Sequence, residues 1–588
     1  VNSRSRQHTS RDRARGSSYD EASRLSSRGR PQAPWWRSPV AALLIAFAIA
    51  FSVVAVRLFT LQVVQSSDLA SSAEARRTNV VTLQAKRGTI YDRNGNVLAT
   101  SVDCATIYAN PRSVTDAAAT ADVLAADLGG DASDYLPTLT KDTTFAYVKR
   151  KVDTSVADKV KQDLADKKLP GLYYLSDVKR IYPYGEVAGQ VLGLVGTDGQ
   201  GLSGLELYYD DVLSGTDGQM IMEQGADGTP IAGGTSQVTE AKNGTDVILS
   251  LDINVQEIAE TNIVQGVKDH AAESGMVMIT EPDTGEILAA CSTPLYDPSN
   301  ASSDTAGMSL RLVSDSYEPG SMFKVLTTSI GIENGIVSPS TTFTVPGKVQ
   351  VGSDLVGDDD GRAETIDMDV REIMRRSSNT GAVLVGRKVG ATLFWEGINR
   401  FGIGSKTGID YPGEVAGLVT DPTSTGSDMT LSVESFGQGL AIPMVQIVRA
   451  VGAVANEGVL TTPHFLLSKG TDEVGWGSQG NAIGSEAAAT EIDMMRTVVQ
   501  SGTATKAQVE GYDIAGKTGT GEQAGSSGYI AGSYLSSMVG FTPSNGAKVL
   551  VYVGFNGTPQ LASYSACPVF STIMEQTVGE LGIGPNAQ

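Results

Sequence analysis

The most conspicuous feature of the hydropathy pattern lies near the start of the chain. From Pro39 to Val56 eighteen successive residues carry no charge, and apolar character resumes after Arg57 with Leu58, Phe59 and Leu61. At ~1.5 Å rise per residue, an apolar helix of this length crosses a hydrocarbon layer of about 30 Å. Residues 39–61 are therefore expected to form one transmembrane helix, with Trp35 and Trp36 at its interfacial edge. The small-residue pair Ala46 and Ala48 falls inside the run rather than after it, which favours a retained anchor over a cleaved signal.

Beyond the anchor the pattern changes twice. Asn94-Gly95, set between Thr89-Ile90-Tyr91 and Val97-Leu98-Ala99, predicts a hairpin, with a type I′ turn that needs positive φ at both central residues. Residues 111–175 have loose helical periodicity, and residues 180–251 read as short strands and glycine turns ending in the strand-like run Asp246–Leu251. In the C-terminal half, the apolar run after Gly275, the turn at Asp283-Thr284-Gly285 and the run after Glu286 form one hairpin. Ser533–Phe541, a turn at Pro543-Ser544-Asn545-Gly546 and Lys548–Phe555 form another. Two hairpins bracketing the domain predict one antiparallel sheet built from both of its ends, with helices at about 322–334 and 443–457 between them. No repeat of 20–50 residues is visible.

Length and charge refine this picture. For 588 residues two to four structural units are expected, and 41% apolar residues are ample for packed cores. The division read from the pattern is a basic tail (1–38), the membrane helix (39–61), a pedestal (62–251) and a larger C-terminal domain (252–588). The net charge of −21 conceals nine arginines among residues 1–37, a net of +6 there and −27 elsewhere. Before a membrane helix, such a cluster is the positive-inside signal. It places the N-terminus in the cytoplasm and the body outside, and it disfavours a nucleic-acid partner. Three scattered cysteines exclude a disulfide framework and a CxxC metal site. Only His270 and His464 lie in the body, so a Ser-His-Asp triad and a His-rich metal centre are both disfavoured.

Chemistry then falls to serine and lysine. Pro319-Gly320 breaks the chain immediately before Ser321-Met322-Phe323-Lys324, and an apolar stretch follows. Ser321 thus sits in the first turn of a helix with Lys324 three residues on, on the same face. A desolvated lysine of lowered pKa can take the hydroxyl proton, and helix N-terminal amides can hold an oxyanion. Alone the pattern is weak, since Ser176-Asp177-Val178-Lys179 also matches it. Two further elements strengthen it: Ser377-Ser378-Asn379, and the small-residue strand Gly516-Lys517-Thr518-Gly519-Thr520, suited to a substrate that lies along an edge and presents a carboxylate. Gly519 would let that ligand approach closely. Gly511–Thr518 also fits the nucleotide-binding pattern GxxxxGK[ST], but a polar segment precedes it and a glycine-rich one follows, so no strand and helix frame it. Lys406-Thr407-Gly408 is a decoy in a turn-forming context.

Ser-x-x-Lys, Ser-x-Asn and Lys-Thr-Gly in this order resemble the signature of penicillin-binding proteins and serine β-lactamases. The N-terminal half resembles the class B branch. Arg87-Gly88 through Leu98-Ala99 and Gly201-Leu202-x-Gly204-Leu205-Glu206 match its pedestal motifs, and Phe436-Gly437-Gln438-Gly439, Pro443, Gln446 and Gly502-Thr503-Ala504 match positions flanking its active site. Met322 and Cys567 are small departures. The resemblance implies an α+β fold: a penicillin-binding transpeptidase (serine β-lactamase-like) domain, its antiparallel sheet flanked by helices, on an elongated pedestal behind one membrane helix. It implies a peptidoglycan D,D-transpeptidase without cofactor or metal. Ser321 would attack the carbonyl between the terminal D-alanines of a stem peptide. Lys324 would be the base, an assignment on which the superfamily is divided. Ser377 would relay a proton to the leaving D-alanine, Asn379 would orient substrate and Lys324, and Lys517, Thr518, Gly519 and Thr520 would bind substrate. The backbone N–H groups of Ser321 and Thr520 would form the oxyanion hole. Implied partners are lipid-linked precursor and nascent glycan, a polytopic membrane glycan polymerase, cell-division proteins, and β-lactams as covalent inhibitors. The compact pedestal resembles septal members; the alternatives are an elongation-type enzyme and a membrane-anchored β-lactam sensor or β-lactamase-like protein. Against a class A β-lactamase, no Glu-x-x-Leu-Asn segment lies between Asn379 and Lys517.

Overall fold

The computed structural model describes residues 38–67, 78–223, 236–300, 305–425, 428–525, 528–543 and 549–585. The basic tail, Trp35 and Trp36, and the turn residues Ser544–Gly546 lie outside them. The chain divides into two compact units, Val1–Asn79 with Ile221–Ser236, and Val80–Met220 with Gln237–Gln588.

In the first unit, helix α1 (Pro39–Phe59) begins where Ser38 Oγ accepts the amide of Ala41 and Pro39 presets the first turn. It continues through a π-helical turn at Thr60–Val64, and the 26 residues are long and apolar enough to cross a membrane. Apart from Ala41 and the half-buried Thr60 and Leu61, its residues are exposed, the reverse of a core helix.

The second unit opens with β1 (Ile90–Tyr91) and the long β2 (Val97–Ala109), paired antiparallel. The hairpin is present, but its turn is not type I′. Gly95 alone has positive φ, because the Asp92 carboxylate accepts the amides of Asn94 and Asn96 and shapes a wider loop. Next come α2 (Ala117–Leu128), β3 (Ala146–Asp153), α3 (Thr154–Asp166) and β4 (Leu172–Ile181). β2 pairs with both β3 and β4, and one core of Ile107, Leu124, Val152, Val160 and Leu164 joins this sheet to the helices.

Residues 182–213 differ from the expected strands. They form short helices at Gly189–Leu192, Gly204–Tyr208 and Asp210–Leu213. A buried ion pair organises them: Glu206 accepts from Arg87 Nε at 2.5 Å and from Arg180 Nε at 2.7 Å. Local strand propensity gives way to the need to satisfy those buried charges.

β5 (Val247–Leu249) pairs with β1 on one side and, on the other, with a strand of the C-terminal half. From there the order is α4 (Ile253–Asp269), β6 (Ser274–Thr280), β7 (Ile287–Ser292), α5 (Lys324–Glu333), α6 (Val370–Arg376), α7 (Asn379–Val389) and α8 (Met444–Ala455). Then follow β8 (Leu466–Lys469, the partner of β5), α9 (Ser485–Ser501), β9 (Ala515–Gly525), β10 (Gly528–Phe541), β11 (Leu550–Thr558) and α10 (Ala566–Glu580). The antiparallel sheet runs β7-β6-β11-β10-β9, so strands from the two ends of the domain meet at β6 and β11, as the bracketing hairpins predict. Phe555 reaches Gly266 of α4, whereas Leu550 reaches Gly452 of α8. Five residues apart on one strand, they point to opposite faces, which places helices on both sides of the sheet. β9 is one of the two edge strands, opposite β7.

Candidate active site

Three elements meet beside β9. The first is a 3-10 turn, Gly320–Phe323, that leads into α5. Gly320 has φ of +57°, and a Cβ there would lie 2.7 Å from the carbonyl oxygen of Thr520. Glycine is required because the turn presses onto the strand at this point. Its amide donates to Gly437 O at 3.0 Å, and Gly439 N donates to Glu318 at 2.9 Å, so the Phe436–Gly439 segment clamps the turn. Ser321 is only 6% exposed and Lys324 1%, and Lys324 Nζ lies 2.8 Å from Ser321 Oγ.

The second element is the α6–α7 junction. Ser377 caps α6 in the left-handed region (φ +60°, ψ +39°), a conformation that costs roughly 1 kcal/mol or more for a residue with a Cβ. That geometry turns its hydroxyl toward both lysines. Lys324 Nζ lies 3.3 Å from Ser377 Oγ and Lys517 Nζ 2.8 Å from it. Lys324 also donates to Ser377 O at 2.6 Å and to Asn379 Oδ1 at 2.7 Å. Ser378 caps the next helix by accepting the amide of Gly381.

The third element is β9 itself. Lys517 is fully buried and donates to Thr518 O at 3.1 Å as well as to Ser377. Thr518 Oγ1 pairs with Thr503 Oγ1 at 2.8 Å, which accounts for the Gly502-Thr503-Ala504 segment. Gly519 is small for a reason within the protein itself. A Cβ there would lie 2.5 Å from Ser537 Oγ and 2.9 Å from Met322 and from Pro319 O, so the glycine admits the serine-bearing turn. Met322 fills that contact, its sulfur accepting from Ser537 Oγ. Thr520 lies alongside the same turn through its backbone.

Electrostatics follow from burial. Desolvation pulls Lys324 down to about 8, opposed by the charges of Asp359 and Asp358. Lys517 is pushed well below its ordinary value, first by desolvation and then by the charge of Lys324. Among the described residues, neither lysine forms a salt bridge. One hydroxyl between two lysines of lowered proton affinity, with a second hydroxyl against one of them, can pass a proton from Ser321 through Lys324 to Ser377.

The decoys fall elsewhere. Ser176 and Lys179 lie on β4, where Lys179 pairs with Asp153 at 2.5 Å. Gly516-Lys517-Thr518 is strand, with no helix behind it, so the nucleotide-loop pattern fails. His464 stacks on Trp476 and bonds Thr462 O, and His270 bonds Gln560; both serve packing. Gln446 donates to the carbonyls of Ser405 and Ala416. Reading by motif missed the loop Gly357–Arg362. There Asp358 accepts from Ser378, Thr380 and Arg362, and Asp359 accepts from Asn379. Three consecutive aspartates bracketed by glycines ahead of Ser-x-Asn were the available signal.

The family model described as the penicillin binding protein transpeptidase domain matches residues 275–575, and the penicillin-binding protein dimerisation domain matches residues 82–249. The chain belongs to the penicillin-binding proteins. A dimerisation domain ahead of a transpeptidase domain makes it a class B member, and a transpeptidase. It is 31% identical to Stage V sporulation protein D of Bacillus subtilis over 571 residues, covering 92% of this chain and 86% of that one. It is equally identical to a Neisseria meningitidis protein named probable peptidoglycan D,D-transpeptidase PenA, covering 92% and 93%. The crystal structure of penicillin binding protein 2X from Streptococcus thermophilus aligns with a TM-score of 0.72 at 25% identity, covering 86% of this chain and 80% of that one. Every signature residue of the penicillin-binding motifs, 321, 324, 377, 379 and 517, converges within one hydrogen-bonded cluster.

Proposed function

We propose that this penicillin-binding protein cross-links peptidoglycan stem peptides through an acyl-enzyme on Ser321. The observation that carries the reading is the continuous path Ser321 Oγ, Lys324 Nζ, Ser377 Oγ, Lys517 Nζ, each step between 2.8 and 3.3 Å. Lys324, neutral in part because burial lowers its proton affinity, takes the proton as Ser321 attacks the carbonyl of the penultimate D-alanine. Ser377 returns a proton to the nitrogen of the departing D-alanine. Lys517 and Thr518 meet the terminal carboxylate, and the amides of Ser321 and Thr520 hold the oxyanion. An amine of a second stem peptide then attacks the ester, which restores Ser321 and forms the cross-link. β-Lactams mimic the donor and stay on the serine.

The proposed division of labour is a basic cytoplasmic tail (1–38), a membrane anchor (39–61), a pedestal (62–251) and the transpeptidase domain (252–588). The cytoplasmic N-terminus rests on nine arginines before the span. A septal role beside a polytopic glycan polymerase and cell-division proteins rests on the compact pedestal.

The test is covalent labelling of the full chain in detergent with a fluorescent penicillin. Ser321→Ala should abolish the label and Ser176→Ala should leave it. A labelled Ser321→Ala protein would overturn the nucleophile.

A further inference from the structure

The two lysines share an electrostatic problem that the signature motifs leave unsolved. Lys324 and Lys517 are both buried, both reach Ser377 Oγ, and repel one another. Buried cations need compensating charge nearby. Asp358 is close but committed, since it forms an ion pair with Arg362 at 2.9 Å and accepts from Ser378 Oγ and the Thr380 amide. Asp359, exposed on the same loop, has no cation in contact among the described residues. Its Oδ1 accepts from Asn379 Nδ2 at 3.2 Å, and Gly357 O accepts from that nitrogen at 3.3 Å. The opposite end of the same amide, Oδ1, faces Lys324 Nζ at 2.7 Å.

We propose that Asp359 is a positioning residue of the acylation step, orienting the Asn379 amide toward Lys324 and supplying the pair of buried lysines with an uncommitted negative charge. This rests on Lys324 acting as the base. The amide has two distinguishable ends, and only the orientation with oxygen toward Lys324 suits a lysine that donates. An acceptor on the far side selects that orientation. The charge acts at longer range, and both lysines feel it as a stabiliser of their protonated forms. The groups facing them are few. Ser321, Ser377 and Asn379 touch Lys324, and Thr518 and Ser377 touch Lys517. Beyond these, Asp358 lies on the loop side, Glu491 of α9 bonds Thr328 one turn along α5, and the buried Cys567 thiol of α10 lies near Lys517.

The sign is fixed by these neighbours. An anion removed from beside a lysine makes the lysine easier to deprotonate, so a neutral Lys324 becomes available at lower pH. The experiment is the rate of acylation by a fluorescent penicillin, measured across pH on the full chain in detergent. Asp359→Asn keeps an acceptor for Asn379 and removes the charge. The acid limb should move down by about half a unit or more, with a plateau within roughly twofold of the parent. Asp359→Ala removes both, and should show the same shift with a plateau lowered by about tenfold. Asp359→Glu should return the limb toward the parent, and Asp360→Asn, on the same loop, should leave it in place. An unmoved limb in Asp359→Asn, an equal shift in Asp360→Asn, or an unchanged plateau in Asp359→Ala would overturn the inference. Ser321→Ala separates the two readings. If it still labels, the nucleophile is wrong. If it is inert and Lys324→Met loses acylation while the Asp359→Asn limb stays put, only the role of Asp359 falls. A Lys324→Met protein that acylates at the parent rate removes the base on which the inference rests.

Discussion

Buried cations occur in both halves of the second unit, and two groups of them are treated in opposite ways. In the pedestal, Arg87 and Arg180 clasp one fully buried carboxylate, Glu206, and Arg87 also meets Asp210 at 2.6 Å. In the candidate active site, Lys324 and Lys517 are as deeply buried but touch hydroxyls, carbonyls and one amide. Arginine stays charged at any physiological pH, so a matched carboxylate lowers the cost of burying it. Lysine can release its proton, and a lysine without a direct counter-ion does so more readily. The pedestal therefore uses its cations as ties between the segments at Arg87, Arg180 and Glu206. The proposed site leaves its cations without a direct counter-ion, as the proposed proton transfer and carboxylate binding require.

Breaking the contrast at its chemical end should give the largest effect. Lys324→Met fills similar volume without a base. Acylation by a fluorescent penicillin should fall by about a thousandfold or more, while the melting temperature holds or rises because a desolvated amine has gone. A matching loss of stability would mean that Lys324 is a structural tie like the arginines.

At the structural end, Glu206→Gln leaves two arginines facing each other without their shared anion. Stability should fall by about 3–5 kcal/mol, read by denaturant unfolding of the full chain in detergent, while the acylation rate of the folded fraction stays near the parent. A small change in stability would show that Asp210 alone balances the pair.

The subtlest comparison is between lysines. Lys517→Ala should slow acylation by roughly ten- to a hundredfold, the value of one charge-assisted contact to a carboxylate. The melting temperature should change little. Lys406→Ala should leave acylation alone. Equal losses at both positions would place the carboxylate site elsewhere.

Much of this architecture was legible beforehand because it is local. A run without charge reads as a span, alternation and turn residues read as the two hairpins, and residues three apart read as one helical face. Ser321 and Lys324 could be paired from spacing only together with the Pro-Gly break before them and the apolar stretch after, since Ser176 and Lys179 share the spacing. The wider turn at Asp92, the short helices around Glu206 and the real neighbour of Gly519 were not legible. The last two depend on groups that arrive from distant segments, and the first on a local carboxylate, Asp92, that takes the amides of Asn94 and Asn96 and overrides the Asn-Gly preference.

What the amino-acid order determined by itself is the set of elements and the motifs: the long apolar span, the strands from both ends of the domain, and the motif residues Ser321, Lys324, Ser377, Asn379 and Lys517. Only the tertiary structure decided how they are used. It put Ser377 between two lysines that lie 53 and 140 residues away in sequence. It committed Asp358 to Arg362, left Asp359 beside Asn379, and buried both amines where water cannot hold their charge. Local pattern reflects steric and solvation preferences over one or two turns, whereas proton affinity depends on every charge and dipole within reach, and those are assembled only when the chain packs.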